Sequence, residues 1–207
     1  DTERFHRSMR ANYGKGVAYG ELNGRGVIYI TTPAFFLWAL DAETGQVDSA
    51  FGDGGRVDLS QGLGREINKR DYGVVSPVLV TNNKVIVNSI VNDAPASLET
   101  PPGHVRAFNP ETGALEWMFE TIPQAGEFGN ETWEDGSWEY TGSTNAWTIM
   151  SADDELGIAY IPIGTPTNDW YGGMRKGDNL FAESLVAVDV NTGERIWHFQ
   201  MIHHGVW

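Results

Sequence analysis

The stretch Ala107-Phe108-Asn109-Pro110-Glu111-Thr112-Gly113-Ala114-Leu115-Glu116-Trp117 decides the fold, because it recurs. ALDAETGQVDS begins at residue 39 and AVDVNTGERIW at residue 187, and all three read Ala, apolar, Asp or Asn, two residues, Thr-Gly. Five residues beyond each Thr stand Ser49, Trp117 and Trp197, so two of the three units end in the same aromatic. Alternating apolar residues lead into a tight turn at Thr-Gly, where glycine tolerates a positive φ, and the chain leaves in a further strand such as EWMFE or RIWHFQ. Each unit reads as a β-hairpin. The copies lie further apart than the roughly 40 to 50 residues of a plain four-stranded propeller blade, so long loops must fill the intervals. VIYITT, KVIVNSIV and GIAYIPI supply further strands. No long 3.6-residue stripe occurs, and glycine punctuates nearly every segment.

A repeated hairpin with a terminal tryptophan, among short strands, points to an all-β fold: part of a β-propeller built from radial four-stranded blades. A β-sandwich is the plainer alternative, and the chain-long repeat argues against it. Residues 1–207 read as part of a single propeller domain truncated at both ends, since three hairpins leave a ring unclosed.

Composition narrows the partners. A chain 41% hydrophobic and 20% charged can fill a core, which excludes disorder. The net charge of −14 opposes binding to nucleic acid or an anionic membrane surface. The absence of cysteine removes disulfides, thiolate nucleophiles and cysteine-ligated metals. The longest nearly apolar stretch, Val27 to Leu40, is interrupted by Thr31, Thr32 and Pro33 and is too short to span a bilayer as a helix.

The repeat resembles the tryptophan-docking motif of the quinoprotein dehydrogenases. Family-like segments continue along the chain: KGVAY (15–19), FGDGG (51–55), PPGHVRAFNPETG (101–113), ETWEDGSWEYTGSTNAW (131–147), YGGMRKGDNLFAESLVAVD (171–189) and WHFQMIHHGVW (197–207). The resemblance is strongest to the membrane-associated, glucose-dehydrogenase-like branch, and it implies an eight-bladed propeller. It also implies oxidation of an alcohol or sugar hydroxyl with pyrroloquinoline quinone (PQQ) and Ca2+, in the periplasm, with electrons passed to a quinone or a cytochrome. The missing cysteines suit this branch, because methanol-type members carry a vicinal disulfide near the cofactor.

Residue by residue, the resemblance makes Trp147 the indole floor beneath a flat quinone, a role that also suits indole chemistry. Thr144 becomes a hydroxyl partner of the cofactor, with Asn145 in the same turn. Lys15 stands where the family carries an arginine for a cofactor carboxylate, and Ser76 is a further rim candidate. The metal ligands it implies are Asp93 and Thr165. A threonine at the second position replaces the family's usual asparagine, and Asn168 or Asp169 is placed to compensate from the following turn. The proton-abstracting aspartate is expected directly after Trp207, which leaves no catalytic residue inside the sequence and an inactive chain on its own. His203 and His204 read as substrate-loop or structural residues, since neighbours in an extended chain aim their rings apart.

Two other readings stand beside this one. A non-catalytic propeller scaffold for protein assembly in the cell envelope needs the hairpin repeat but not Thr144, Trp147 and the 171–181 loop together. A glycan-processing propeller would use carboxylates such as Glu131, Glu134 and Asp135, which no motif places at the separation that chemistry needs.

Overall fold

A computed structural model describes residues 16–206; Lys15 and Trp207 lie outside the described residues. The first sheet runs β1 (Ala18–Leu22), β2 (Arg25–Thr31), β3 (Phe36–Asp41), β4 (Arg56–Asp58), in that spatial order. A two-stranded ladder of β5 (Tyr72–Gly73) and β8 (Ile90–Val91) brackets the start of the second sheet. That sheet holds β6 (Leu79–Thr81), β7 (Lys84–Val87), β9 (Val105–Phe108) and β10 (Leu115–Phe119). The third is β11 (Ser151–Asp153), β12 (Ile158–Pro162), β13 (Ser184–Asp189) and β14 (Arg195–Gln200). All pairings within these sheets are antiparallel. Helix is confined, among the described residues, to short 3-10 turns at Asn130–Thr132, Glu134–Glu139 and Gly172–Met174.

Three four-stranded blades stand side by side with their first strands together, since β6 touches both β1 and β11. The middle blade is therefore buried on both faces, and its strands read as apolar runs for that reason. Successive side chains alternate between two cores. Val85, Val87 and Phe108 enter the first, with Val27, Tyr29, Leu37, Phe51 and Leu59. Ile86, Val105 and Ala107 enter the second, with Trp117, Phe119, Ile161, Val186 and Val188.

The repeated motif is one hydrogen-bonded turn made three times. Asp41, Asn109 and Asp189 each accept, through one side-chain oxygen, the amide N–H groups two and three residues on. Their main-chain carbonyls accept from Gly45, Gly113 and Gly193 at 2.8, 2.9 and 2.8 Å. These glycines sit at φ of 69°, 70° and 74°, a region that penalises a side chain. The short acidic or amide residue and the glycine are thus required by the turn itself.

The first unit departs from the expected hairpin. After Thr44-Gly45 only Leu40 and Val47 bridge, and the chain loops out before Arg56–Asp58 pairs with the other half of β3. Ser49 supplies no aromatic to anchor the outer strand, and Phe51 of the FGDGG segment is buried edge-on to Tyr29.

Strand alternation then fixes where a site can form. In each blade the second-to-third connection leaves at the same end as the link to the next blade. Segments 59–78, 88–104, 120–150, 163–183 and 201–206 all emerge at that end.

Candidate cofactor and cation site

Three of these segments are laced together through their backbones. Ser143 donates to the Pro101 carbonyl at 2.9 Å, Thr144 to Thr165 at 3.1 Å, Gly164 to Asn145 at 3.1 Å and Thr167 to Gly142 at 3.1 Å. The packing is close enough to need glycine at 103 and 142, where a Cβ would lie 2.4 Å from Asn145 Cβ and 2.3 Å from the Pro101 oxygen. Ser143 and Thr144 take left-handed φ values of 57° and 51°, which turns the chain sharply just before Trp147.

On this frame Trp147 is 51% exposed while Thr144 is fully buried. The indole runs beside Gly164, where a Cβ would sit 3.5 Å from the ring nitrogen. Ser76 and Asn88 fix its backbone, Ser76 Oγ donating to the Trp147 carbonyl at 2.5 Å and Asn88 to Thr148 at 2.7 Å. Asn145 uses its amide on the scaffold, accepting from Ser143 Oγ and donating to the Ser89 carbonyl, both at 2.9 Å. Thr144 Oγ1 is buried without a hydrogen-bond partner. A solvent-inaccessible hydroxyl with no partner is costly, and one three residues before a half-exposed indole suits a ligand that brings its own acceptor.

An oxygen-rich cluster adjoins this frame. Asp169 donates its amide to the Asp93 carbonyl at 3.1 Å, which brings the two aspartates together. Thr165 Oγ1 donates to Glu183 Oε1 at 3.0 Å. Asp169 Oδ1 and Glu183 Oε2 are both buried without partners. Burial first, then the charges of Asp93 and Glu183, push the Asp169 carboxyl up to about 7, with Arg175 opposing. Crowding of this kind disfavours the ionised form unless a proton or a cation joins the group. Carboxylate and hydroxyl oxygens suit a hard cation such as Ca2+, although among the described residues no three His, Cys, Asp or Glu side chains converge as a ready metal site.

Sequence reasoning reached Asp93, Thr165, Ser76, Thr144, Asn145 and Trp147, and the structure gathers all of them at one end of the blades. It missed Glu183 and Arg175. A carboxylate in the small-residue run Ala182-Glu183-Ser184 before β13 was a usable signal; an arginine in a glycine-rich loop was not. The two histidines part company, His203 facing Asp178 at 3.3 Å and His204 bonding the Gly177 carbonyl at 2.8 Å. Two acids of the glycan-processing reading are engaged locally: Glu131 accepts the Gly129 amide at 3.1 Å and Asp135 pairs with Lys176 at 2.8 Å.

Three four-stranded blades, with a buried lone hydroxyl, a half-exposed indole and an oxygen cluster at the loop end, make part of a β-propeller. Comparison with known proteins gives the family. Residues 1–207 match the family described as PQQ, glucose/ethanol/alcohol dehydrogenase, beta-propeller domain, and the chain belongs to that family. It is 34% identical over 173 residues to the glycerol dehydrogenase large subunit of Gluconobacter oxydans, covering 83% of this chain and 22% of that protein. It is 33% identical over 172 residues to quinoprotein glucose dehydrogenase A of Acinetobacter calcoaceticus, covering 83% and 21%. Among solved structures, a quinohemoprotein alcohol dehydrogenase from Pseudomonas putida superposes with a TM-score of 0.76 at 29% identity, over 100% of this chain and 29% of that one. The chain thus spans roughly a fifth to a quarter of the curated relatives' length. These relatives are dehydrogenases, and the scaffold-only reading is not favoured.

Proposed function

We propose that this chain is the cofactor-floor portion of a periplasmic PQQ-dependent dehydrogenase that oxidises an alcohol or sugar hydroxyl with the help of Ca2+. Bound quinone would accept the hydride equivalent, and the cation would polarise the reacting carbonyl. The residues of this chain do the rest. Trp147 offers a flat apolar surface whose backbone is pinned by Ser76, so that stacking costs little ordering. Thr144 Oγ1, buried and without a partner, would donate to a cofactor oxygen. Asp93, Asp169, Glu183 and Thr165 would supply oxygens to the cation, and Lys15 would supply positive charge to a cofactor carboxylate. Electrons leave to a quinone or a cytochrome.

The observation that carries this reading is the partnerless, fully buried Thr144 hydroxyl three residues before a half-exposed indole. Titration of PQQ into the protein with and without Ca2+, followed by tryptophan fluorescence, tests it. Saturable quenching that strengthens with Ca2+, and weakens about tenfold in Thr144→Val through loss of one buried hydrogen bond, is expected. No quenching under either condition refutes it.

A further inference from the structure

Arg175 is fully buried, and its guanidinium joins two parts of the site that are distant in sequence. One arm donates to Asn179 Oδ1 at 2.9 Å; the other donates to the Gly205 carbonyl at 2.9 Å and reaches the Asn168 carbonyl at 3.5 Å. Asn179 is itself fixed, donating to the Lys176 and Thr132 carbonyls. Asn168 precedes Asp169 of the oxygen cluster, and Gly205 belongs to the segment that leaves β14. The charges facing the guanidinium are Glu183 and Asp169.

The segment 203–206 is seated by shape as well as by charge. His204 presses on Gly172, where a Cβ would lie 2.4 Å from its Nε2, and its other ring nitrogen bonds the Gly177 carbonyl. Gly205 covers Glu183 so closely that a Cβ would fall 1.6 Å from Glu183 Oε2. Apolar packing alone would be served by a methionine, whereas a buried guanidinium carries a desolvation cost that its three carbonyl partners and two carboxylate neighbours must offset. What the planar fork adds is a fixed relation between Asn168 and Gly205, which a flexible point charge cannot hold.

We propose that Arg175 is a positioning residue of the dehydrogenase site: it holds the segment 203–206 in register with the Asp169–Glu183 cluster, and so sets where those oxygens stand for a bound cation. The proposal rests on the dehydrogenase reading above. Arg175 touches no reacting atom; it acts through Gly205 and Asn168.

The test uses the intact dehydrogenase containing this chain, loaded with PQQ and Ca2+, in Arg175→Met and Arg175→Lys forms. Arg175→Met lowers kcat about 10- to 100-fold, the scale of an ångström-sized misplacement, with KM for a primary alcohol and quinone loading held within about threefold. Amide exchange of residues 203–206 rises while that of the first blade does not. Arg175→Lys keeps the charge but loses the fork, so kcat stays at least about tenfold below the parent, and full restoration by lysine would overturn the clamp. Gly205→Ala, with Arg175 intact, displaces the same segment from Glu183 and lowers kcat in the same way, which keeps the question decidable should Arg175→Met fold poorly. Unchanged kcat in either Arg175→Met or Gly205→Ala overturns the proposal. So does a loss of kcat matched by an equal loss of quinone loading and a collapse of melting temperature, which marks a merely structural arginine. An inactive parent would instead strike the dehydrogenase reading, and unaltered exchange at 203–206 in Arg175→Met would still refute the clamp.

Discussion

The joint between the second and third blades and the joint between the first and second solve one problem with different residues. Each docks a neighbour onto an Asx-Thr-Gly turn whose second-residue carbonyl points out of the turn and needs a donor. Between the second and third blades, Trp117 Nε1 donates to the Val190 carbonyl at 2.8 Å, and its ring lies on Gly193, where a Cβ would come within 2.6 Å. Between the first and second, Ser49 stands where the tryptophan would be. Tyr29, from the second strand of the blade, donates its hydroxyl to the equivalent Pro110 carbonyl at 2.8 Å. Gly52 donates its amide to Thr112 at 2.9 Å, and Val57 packs where a Gly113 side chain would otherwise reach. The turn's demand for a donor is constant; the residue that meets it is interchangeable.

The largest effect should come from Trp117→Ala, which removes both ring and hydrogen bond at about 3–5 kcal/mol, read by urea unfolding of the chain. A cost below about 1 kcal/mol would show that the indole merely fills space. Gly193→Ala should follow, combining roughly 1–2 kcal/mol of left-handed backbone strain with displacement of the indole. Gly45→Ala is the control, because its φ is 69° and nothing lies within 4 Å of the added carbon. It should cost the backbone share alone, and equal losses at 45 and 193 would erase the distinction that docking makes.

Tyr29→Phe should cost about 1–3 kcal/mol, because the Pro110 carbonyl is left buried without its donor. If that substitution is silent, Tyr29 is no substitute for the indole and the two joints are not equivalent. The same phenol gives a pH signature. Burial, then the Asp48 charge, pushes its pKa up to about 12 from 10, with Arg25 opposing. The folded state therefore holds this proton more tightly than the unfolded chain, so the contribution is complete below pH 10 and lost as pH rises through 12. Stability between those values should fall more steeply in the parent than in Tyr29→Phe, and parallel curves would place the phenol in water.

Residues that make a local pattern were legible in the sequence. The three turns, their Asx and Thr caps, their glycines and the alternation of the strands between them all follow from interactions spanning a few residues, and they were enough for the propeller class. The first blade's broken hairpin was foreshadowed only by the Ser49 exception. Of the candidate site, the family-like segments pointed to Thr144, Trp147, Asp93 and Thr165, which the fold brings to one end of the blades. The roles of Ser76 and Asn145 toward Trp147 and Ser89 were hidden, because their partners lie 71 and 56 residues away.

By itself the sequence determined the repeated turn, the strand rhythm and an all-β architecture of blades, since φ preference, side-chain capping and period-two burial are written into adjacent residues. Only the tertiary structure decided that Tyr29 replaces an indole, that Glu183 joins the oxygen cluster and that Arg175 ties Asn168 to Gly205. Those choices depend on which long loops meet at one end of the blades, and that meeting is set by packing between sheets rather than by any residue's neighbours in the chain.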